Sequence, residues 1–181
     1  MTQILRTTAD EPVQEREAGP GTKLAQLYAS TGAASVRLAY LLTGDRALAE
    51  DIAQDAFLRV VGRLGHLRDP GAFDAYLRRA VVNLAKNHHR RRALERRFLS
   101  SSTAAESVPA PERQVVDRHA IVAALGRLSE RQRAAIVLRY YEDLSEDAIA
   151  QVLRCRPATV RSLVSRGVQL LRGELLEALD D

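Results

Sequence analysis

The sequence has one cysteine and no tryptophan among its 181 residues, and only 4% of the chain is aromatic. The single cysteine, Cys155, excludes an intramolecular disulfide and a cysteine-rich zinc site. We expect Cys155 to fill a turn as a small apolar residue. Because 46% of the residues are nevertheless hydrophobic, the core is expected to consist mainly of small aliphatic side chains packed between helices.

Long apolar runs are also missing. The N-terminus lacks the apolar run of about 7–15 residues that marks a signal peptide, and no stretch is long enough to span a membrane. We therefore expect a cytoplasmic protein that does not insert into a membrane.

Signs of catalytic chemistry are missing as well. The sequence has no glycine-rich phosphate loop, no spacing typical of metal ligands and no convincing pair of nucleophile and base. His88 and His89 are adjacent rather than four residues apart, so we expect them to be exposed or to face phosphates. The sequence predicts no enzyme, no metal and no cofactor.

Positive charge is unevenly distributed along the chain, although the net charge is only +4. Residues 1–22 carry 2 basic and 4 acidic side chains, residues 23–99 carry 14 and 7, and residues 100–181 carry 11 and 12. The basic excess therefore lies in the first half of the chain, where contact with a polyanion is expected.

The distribution of turn-forming residues predicts two domains. Residues 1–21 mix Thr, Glu, Pro and Gly without periodicity, which favours a disordered tail. Residues 100–113 are rich in Ser, Ala and Pro, a composition typical of a linker. The segments 22–99 and 114–179 lack the alternation of apolar and polar residues that is typical of β-strands. We predict an all-α fold of two small helical domains joined by a flexible linker.

Three helices are predicted in the first domain. The first spans Lys23–Leu42, and the second follows an N-cap at Asp45 and continues to about Leu64. The third opens at Asp69-Pro70, an N-cap followed by a first-turn proline, and continues to about Phe98.

The segment Leu144–Leu171 predicts a helix-turn-helix. Ser145 is a suitable N-cap for a helix over Glu146–Leu153, and Pro157 suits the first position of the next helix. One face of that second helix is apolar, at the helical spacing of Val160, Leu163, Val164, Gly167, Val168 and Leu171. The other face carries Ala158, Thr159, Arg161, Ser162, Ser165, Arg166 and Gln169.

The polar face of that helix suits the major groove of DNA. Arginine binds guanine edges and phosphates, hydroxyl groups bind phosphates or base edges, and Ala158 or the Thr159 methyl group suits a thymine methyl group. An ordinary helical hairpin with a solvated polar face has the same pattern.

A second polar face lies on the third predicted helix and combines asparagine with basic residues. Asparagine amides pair with base edges, and the cations around them neutralise phosphates. The alternative is a solvated helix end whose arginines are favoured by the helix dipole. That alternative does not account for two asparagines, which are poor helix formers, in the middle of the helix. The residues of this face are Arg79, Asn83, Lys86, Asn87, Arg90 and Arg91.

The second helix carries an acidic face with one apolar residue. An acidic surface suits a basic protein partner, with Leu58 as an apolar anchor, whereas a plain solvated face is the alternative. The residues are Glu50, Asp51, Gln54, Asp55, Leu58 and Arg59.

Several motifs together resemble the bacterial sigma-70 family of RNA polymerase sigma factors, and the two-domain form resembles its extracytoplasmic-function (ECF) group. The segment 41–57 is similar to the group's polymerase-docking helix, and Phe73, Leu77 and 82–85 are similar to its promoter-melting helix. The residues similar to its C-terminal domain are 128–133, 144–145, 148–150, Cys155 and 159–162.

The resemblance implies roles for the three surfaces. Asp51, Gln54, Asp55 and Leu58 would bind the clamp coiled coil of the largest polymerase subunit. The polar face of the third predicted helix, which combines asparagine with basic residues, would contact the minus-ten element. The loop Gly65–Asp69 would hold an extruded base. The helix-turn-helix would bind the minus-thirty-five duplex through Arg156, Ala158, Thr159, Arg161, Ser162, Ser165 and Arg166.

The resemblance also implies partners. These are core RNA polymerase (clamp coiled coil and beta flap), promoter DNA and an anti-sigma factor, with the linker passing through the RNA-exit region. Tyr76 stands where the group often has tryptophan, and the melting helix has few aromatic platforms for unpaired bases. We therefore expect weak melting and stringent promoter choice.

Three other functions are compatible with parts of the sequence. A polymerase-independent regulator with a helix-turn-helix would bind its operator alone. A helical signalling adaptor or anti-sigma-type binder would not contact DNA, which the basic residues at 79–97 argue against. An enzyme has the least support, for the reasons given above.

Overall fold

The computed structural model describes residues 20–63, 72–98 and 113–180, which form seven α-helices without a strand. The helices are α1 (Pro20–Thr43), α2 (Arg46–Val61), α3 (Phe73–Phe98), α4 (Arg113–Arg127), α5 (Glu130–Tyr140), α6 (Glu146–Leu153) and α7 (Pro157–Asp180). The all-α prediction is confirmed for these ranges. Most of the predicted tail and linker, the Asp69-Pro70 cap and the loop Gly65–Asp69 lie outside the described residues.

The helix bounds differ from the predicted ones by a few residues. α1 begins at Pro20, inside the predicted tail, because proline is accommodated in the first turn of a helix. α2 ends at Val61 instead of Leu64 and is followed by a turn at Gly62. α4 begins at Arg113, the last residue of the predicted linker.

Helices α1–α3 form the N-terminal half of the described fold. The Asp45 side chain accepts a hydrogen bond from the Leu48 amide (3.1 Å) and caps α2, as predicted. Gly44 occupies the left-handed region (φ 74°) between α1 and α2, a conformation that glycine adopts without a Cβ clash. The core contains more than aliphatic residues, because Phe57 and Phe73 are buried and stack edge-to-face at 5.9 Å.

Helices α4–α7 form the C-terminal half. Ser145 caps α6 by accepting from the Ala148 amide (3.2 Å), and α7 begins at Pro157, so the helix-turn-helix is confirmed. Arg154 ends α6 in the left-handed conformation (φ 52°). Cys155 is half-buried in the turn and packs against the core, as predicted.

The two halves contact one another, with α1 packed against α4 and α5, and α3 packed against α5. One hydrophobic cluster continues through both halves, from Leu38 and Val81 to Leu138 and Val160. Nothing in the sequence pattern predicted this contact.

Candidate nucleic-acid interface

The predicted minus-thirty-five residues share one face of α7 and the turn before it. Val160 and Leu163 are buried beneath that face against the rest of the C-terminal half. Thr159 is half-buried, and the other predicted residues are exposed: Arg156, Ala158, Arg161, Ser162, Ser165 and Arg166. Because the apolar stripe of α7 packs inward, the side chains on its opposite face all point toward solvent.

Two arginines of this face already have partners on the protein. Arg161 Nη1 donates to Glu146 Oε2 at 3.0 Å, and Arg166 Nε donates to the Ser162 carbonyl oxygen at 3.1 Å. Glu146 lies in the first turn of α6 and was not among the predicted site residues. A ligand that binds Arg161 must displace Glu146 or use the remaining donors of the guanidinium group.

The predicted minus-ten residues lie along α3 but differ in exposure. Lys86, Asn87, Arg90 and Arg91 are exposed, whereas Arg79 and Asn83 are half-buried. Asn83 and Lys86 line a cleft between α3 and the C-terminal half. This face is therefore partly covered by the chain's own second half.

The expectation that His88 and His89 are exposed is wrong, because both side chains are half-buried. The His89 side chain is half-buried, and its Nε2 lies 3.0 Å from the Leu42 carbonyl oxygen at the end of α1. A carbonyl oxygen only accepts, so Nε2 carries the proton. Burial lowers the pKa of His88, and the positive charges of Arg92 and His89 lower it further.

The predicted polymerase-binding residues lie on the outer face of α2. Asp51 and Gln54 are exposed, and 60% of Leu58 is accessible to solvent. Asp55 accepts two hydrogen bonds from Arg59, at 3.0 and 2.8 Å, so part of the acidic charge is neutralised within the helix. An exposed leucine beside carboxylates remains as the distinctive feature of this face.

Within 20–63, 72–98 and 113–180, no group of three His, Cys, Asp or Glu side chains is arranged to hold a metal ion. No helix in these ranges has the length and apolarity needed to cross a membrane.

Two family models match the chain in the order of the two halves. Sigma-70 region 2 matches residues 27–95, and sigma-70 region 4 matches residues 118–171. The chain belongs to the sigma-70 family of RNA polymerase sigma factors. Within that family it belongs to the extracytoplasmic-function group, as its relatives indicate.

The relatives include sigma factors from several bacterial genera. The RNA polymerase sigma-E factor of Streptomyces avermitilis is 34% identical over 142 residues, covering 78% of this chain and 79% of that protein. The probable sigma factor RfaY of Xanthomonas campestris is 35% identical over 151 residues, which are 79% of this chain but 38% of RfaY. The ECF sigma factor SigE of Mycolicibacterium smegmatis is 37% identical over 146 residues, covering 77% and 56% of the two chains.

The fold has a close counterpart among solved structures. The sigma factor RpoE of Bartonella quintana, crystallised with the anti-sigma factor NepR, superposes with a TM-score of 0.72 at 24% identity. The match covers 86% of this chain and 97% of that one. It supports the helical architecture described above.

Proposed function

We propose that the chain acts in the cytoplasm as a sigma factor, which binds core RNA polymerase and directs promoter recognition, promoter melting and transcription initiation. The observation that carries the proposal is the order of the two matched regions, each of which presents a polar helix face. The chain supplies binding and specificity, and the polymerase supplies the catalysis.

In this proposal the outer face of α7 binds the minus-thirty-five element as duplex DNA. Arg161, Ser162 and Ser165 project from the first turns of a helix whose opposite side is buried, which is how a recognition helix enters the major groove. Arg156 and Arg166 flank this set and suit the phosphates on either side.

The face of α3 binds the minus-ten element, with Asn83 central to strand opening. The substitution Asn83→Ala is expected to reduce promoter opening more than polymerase binding, because Asn83 is assigned to the DNA and not to the protein interface. Permanganate footprinting of a transcribed promoter measures the opening. Leu94→Ala is the matched control, since Leu94 is exposed on the same helix and has no assigned role. Unchanged footprints in Asn83→Ala would remove this assignment.

The outer face of α2 binds the polymerase clamp. Leu58→Asp is expected to weaken capture of core polymerase by at least about tenfold, because an apolar anchor at the centre of an interface contributes on the order of 1–2 kcal/mol or more. The thermal midpoint should stay close to that of the wild type, since Leu58 is exposed. Arg46→Ala, at the start of the same helix, is the control. Equal capture by Leu58→Asp and Arg46→Ala would contradict the assignment.

An anti-sigma factor is a further partner in this proposal. The structural counterpart from Bartonella quintana was crystallised with one, and the shared fold supports a similar partner here. The polymerase-independent regulator remains the competing function. It predicts operator binding without core polymerase, whereas the proposed factor is expected to bind its promoters well only together with core polymerase.

A further inference from the structure

The cleft between the two halves is lined by residues of α1, α3, α5 and α6. Part of its lining is apolar: Val82 and Ala85 of α3 are 3% and 2% exposed, and they share the cleft with Ala134, Val152 and Leu153. The space within it is about 50 Å³, which is room for about three to five water molecules. A single phosphate or carboxylate group is therefore of suitable size.

Three positive side chains line this space, each from a different helix. Lys86 belongs to α3, Arg131 belongs to α5, and Arg154 caps the end of α6. None of the three forms a hydrogen bond or an ion pair within the parts of the chain that the structure describes. Glu130 contributes one negative charge to the lining, so these four side chains together carry a net charge of +2.

Other cations at the contact between the halves are paired. Arg78 of α3 donates to the Glu142 carboxylate, and this ion pair is mostly buried. Arg37 of α1 donates to the Tyr141 hydroxyl group at 2.9 Å. Unpaired like charges around a small space repel one another, and a cleft lined by one sign of charge concentrates counter-ions. The cations of the cleft therefore favour an anion between them.

The helix ends around the cleft are compatible with an anion. Arg131 lies in the first turn of α5, where the helix dipole favours negative charge. The end of α1 also reaches the cleft, and a free carbonyl oxygen there would repel an anion. However, the Leu42 carbonyl oxygen accepts from one donor of each half, Arg133 Nη1 at 2.8 Å and His89 Nε2 at 3.0 Å. These two donors reduce the repulsion.

A phosphate monoester matches the lining in charge and in shape. It carries about −1.5 to −2 charges at pH 7 and has three acceptor oxygens, whereas a carboxylate has one charge and two oxygens. Arginine binds phosphate through a fork of N–H groups, and lysine binds it as a point charge. The half-buried Asn83 amide lines the same cleft, has no hydrogen-bond partner in the described part of the chain and supplies a further donor. The apolar lining suits a compact apolar substituent on the phosphate.

We propose that this cleft binds a small phosphate monoester, which is held by Lys86, Arg131 and Arg154. The proposal goes beyond the proposed sigma function and does not depend on it, because Arg131 and Arg154 belong to none of the predicted DNA-binding or polymerase-binding sets. Since the ligand contacts residues of both halves, its binding is expected to stabilise the folded chain.

Phenyl phosphate is a suitable probe, because it combines the phosphate group with a compact apolar ring. Titration calorimetry on the full-length chain, in chloride at constant ionic strength, measures its affinity, and inorganic phosphate and benzoate are compared in the same buffer. Arg131→Gln and Arg154→Asn each remove one cation of the cleft. Asparagine is chosen because Arg154 has a φ of 52°, which asparagine tolerates. Arg172→Gln, at an exposed position of α7 outside the cleft, is the matched control.

The wild type is expected to bind phenyl phosphate saturably, and more tightly than inorganic phosphate or benzoate. Arg131→Gln and Arg154→Asn are each expected to weaken binding by about tenfold, the effect of losing a charge-assisted hydrogen bond. Arg172→Gln should bind as tightly as the wild type. The thermal midpoint of the wild type should rise with the concentration of phenyl phosphate, because a ligand stabilises the folded state that it binds.

Three results would overturn the proposal. The first is the absence of saturable binding by the wild type. The second is equal affinity in Arg131→Gln, Arg154→Asn and Arg172→Gln, which would indicate only a general attraction to a basic chain. The third is binding of benzoate as tight as that of phenyl phosphate, which would exclude a site for phosphate.

Thermal unfolding without ligand establishes that each variant folds. Arg131→Gln keeps a helix-forming side chain within α5, so it decides the test if Arg154→Asn is unfolded. Run-off transcription with core polymerase tests the sigma function separately. Failure of transcription would remove that function and leave the phosphate site in place, whereas failure of binding would remove only the site.

Discussion

At the scale of single residues, Arg161 is already paired with Glu146 before any DNA arrives. The pair joins the first turn of α6 to the recognition face of α7 at 3.0 Å. Holding an arginine in one orientation lowers the entropy lost when it binds a base edge, and the carboxylate nearby disfavours indiscriminate contact with phosphates. We therefore expect Glu146 to act as a positioning residue in the proposed interface.

Replacing Glu146 tests that role. Glu146→Gln is expected to lower discrimination between a cognate and a mutated minus-thirty-five element. A well-placed bidentate contact contributes about 1–3 kcal/mol of discrimination, and the loss should be a fraction of that value. The ratio of run-off transcription from the two promoters measures the discrimination. Asp147→Asn makes the same change of charge in the same helical turn, and an equal ratio in both variants would argue against the positioning role.

His88 is expected to make the stability of the fold depend on pH. Its pKa is lowered in the folded chain, mainly by burial, so around pH 6.5 the unfolded chain binds more protons than the folded one. The free energy of unfolding is thus expected to fall as the pH is lowered through and below this value. Urea titrations between about pH 7.5 and 5.5 measure it. His88→Gln should reduce the slope, and an identical slope would exclude His88 as the source.

At the scale of secondary-structure elements, the crossing of α5 and α7 depends on a glycine. A Cβ atom at Gly167 would lie 3.0 Å from Ile136 Cγ1 and 3.3 Å from its Cδ1. The absence of a side chain at this position lets α7 pack closely on α5.

Gly167→Ala is expected to destabilise the fold. Alanine improves helix propensity by about 1 kcal/mol, but overpacking costs about 1–3 kcal/mol, so the net effect should be unfavourable. Gly173→Ala is the matched control in the same helix, because nothing lies within 4 Å of a Cβ atom there, and it should be stabilising. Thermal unfolding of both variants measures the difference, and a Gly167→Ala variant as stable as Gly173→Ala would contradict the close packing.

The elements that the sequence predicted well are those with a strong local signal. The apolar stripe of α7 and the helix caps at Asp45 and Ser145 depend on residues within one or two helical turns. The spacing of these residues in the sequence was therefore enough to predict them. Arg154 was not predicted as a left-handed helix end, because glycine usually occupies that position. The roles of Val82, Ala85 and Arg133 were also missed, since their burial depends on partners that are far away in the sequence.

At the scale of the whole molecule, the shared hydrophobic cluster couples the stability of the two halves. The halves are joined by Arg133, by the pair Arg78–Glu142 and by the apolar cleft. Opening one half removes contacts from the other, so both are expected to unfold together.

Calorimetry tests this coupling. The wild type is expected to unfold in one transition with equal calorimetric and van't Hoff enthalpies. Glu142→Gln removes the charge that compensates Arg78 and should broaden or split that transition. Arg46→Ala, which removes an exposed ion pair within α2, should leave it single. Two transitions in the wild type would show that the halves unfold independently.

The small side chains of Val82 and Ala85 determine how closely the two halves can approach. A bulkier residue at Ala85 would act as a wedge, while leaving every predicted DNA-binding residue in place. The contact between the halves is thus expected to be adjustable by single substitutions, separately from the surfaces that carry the predicted DNA-binding residues.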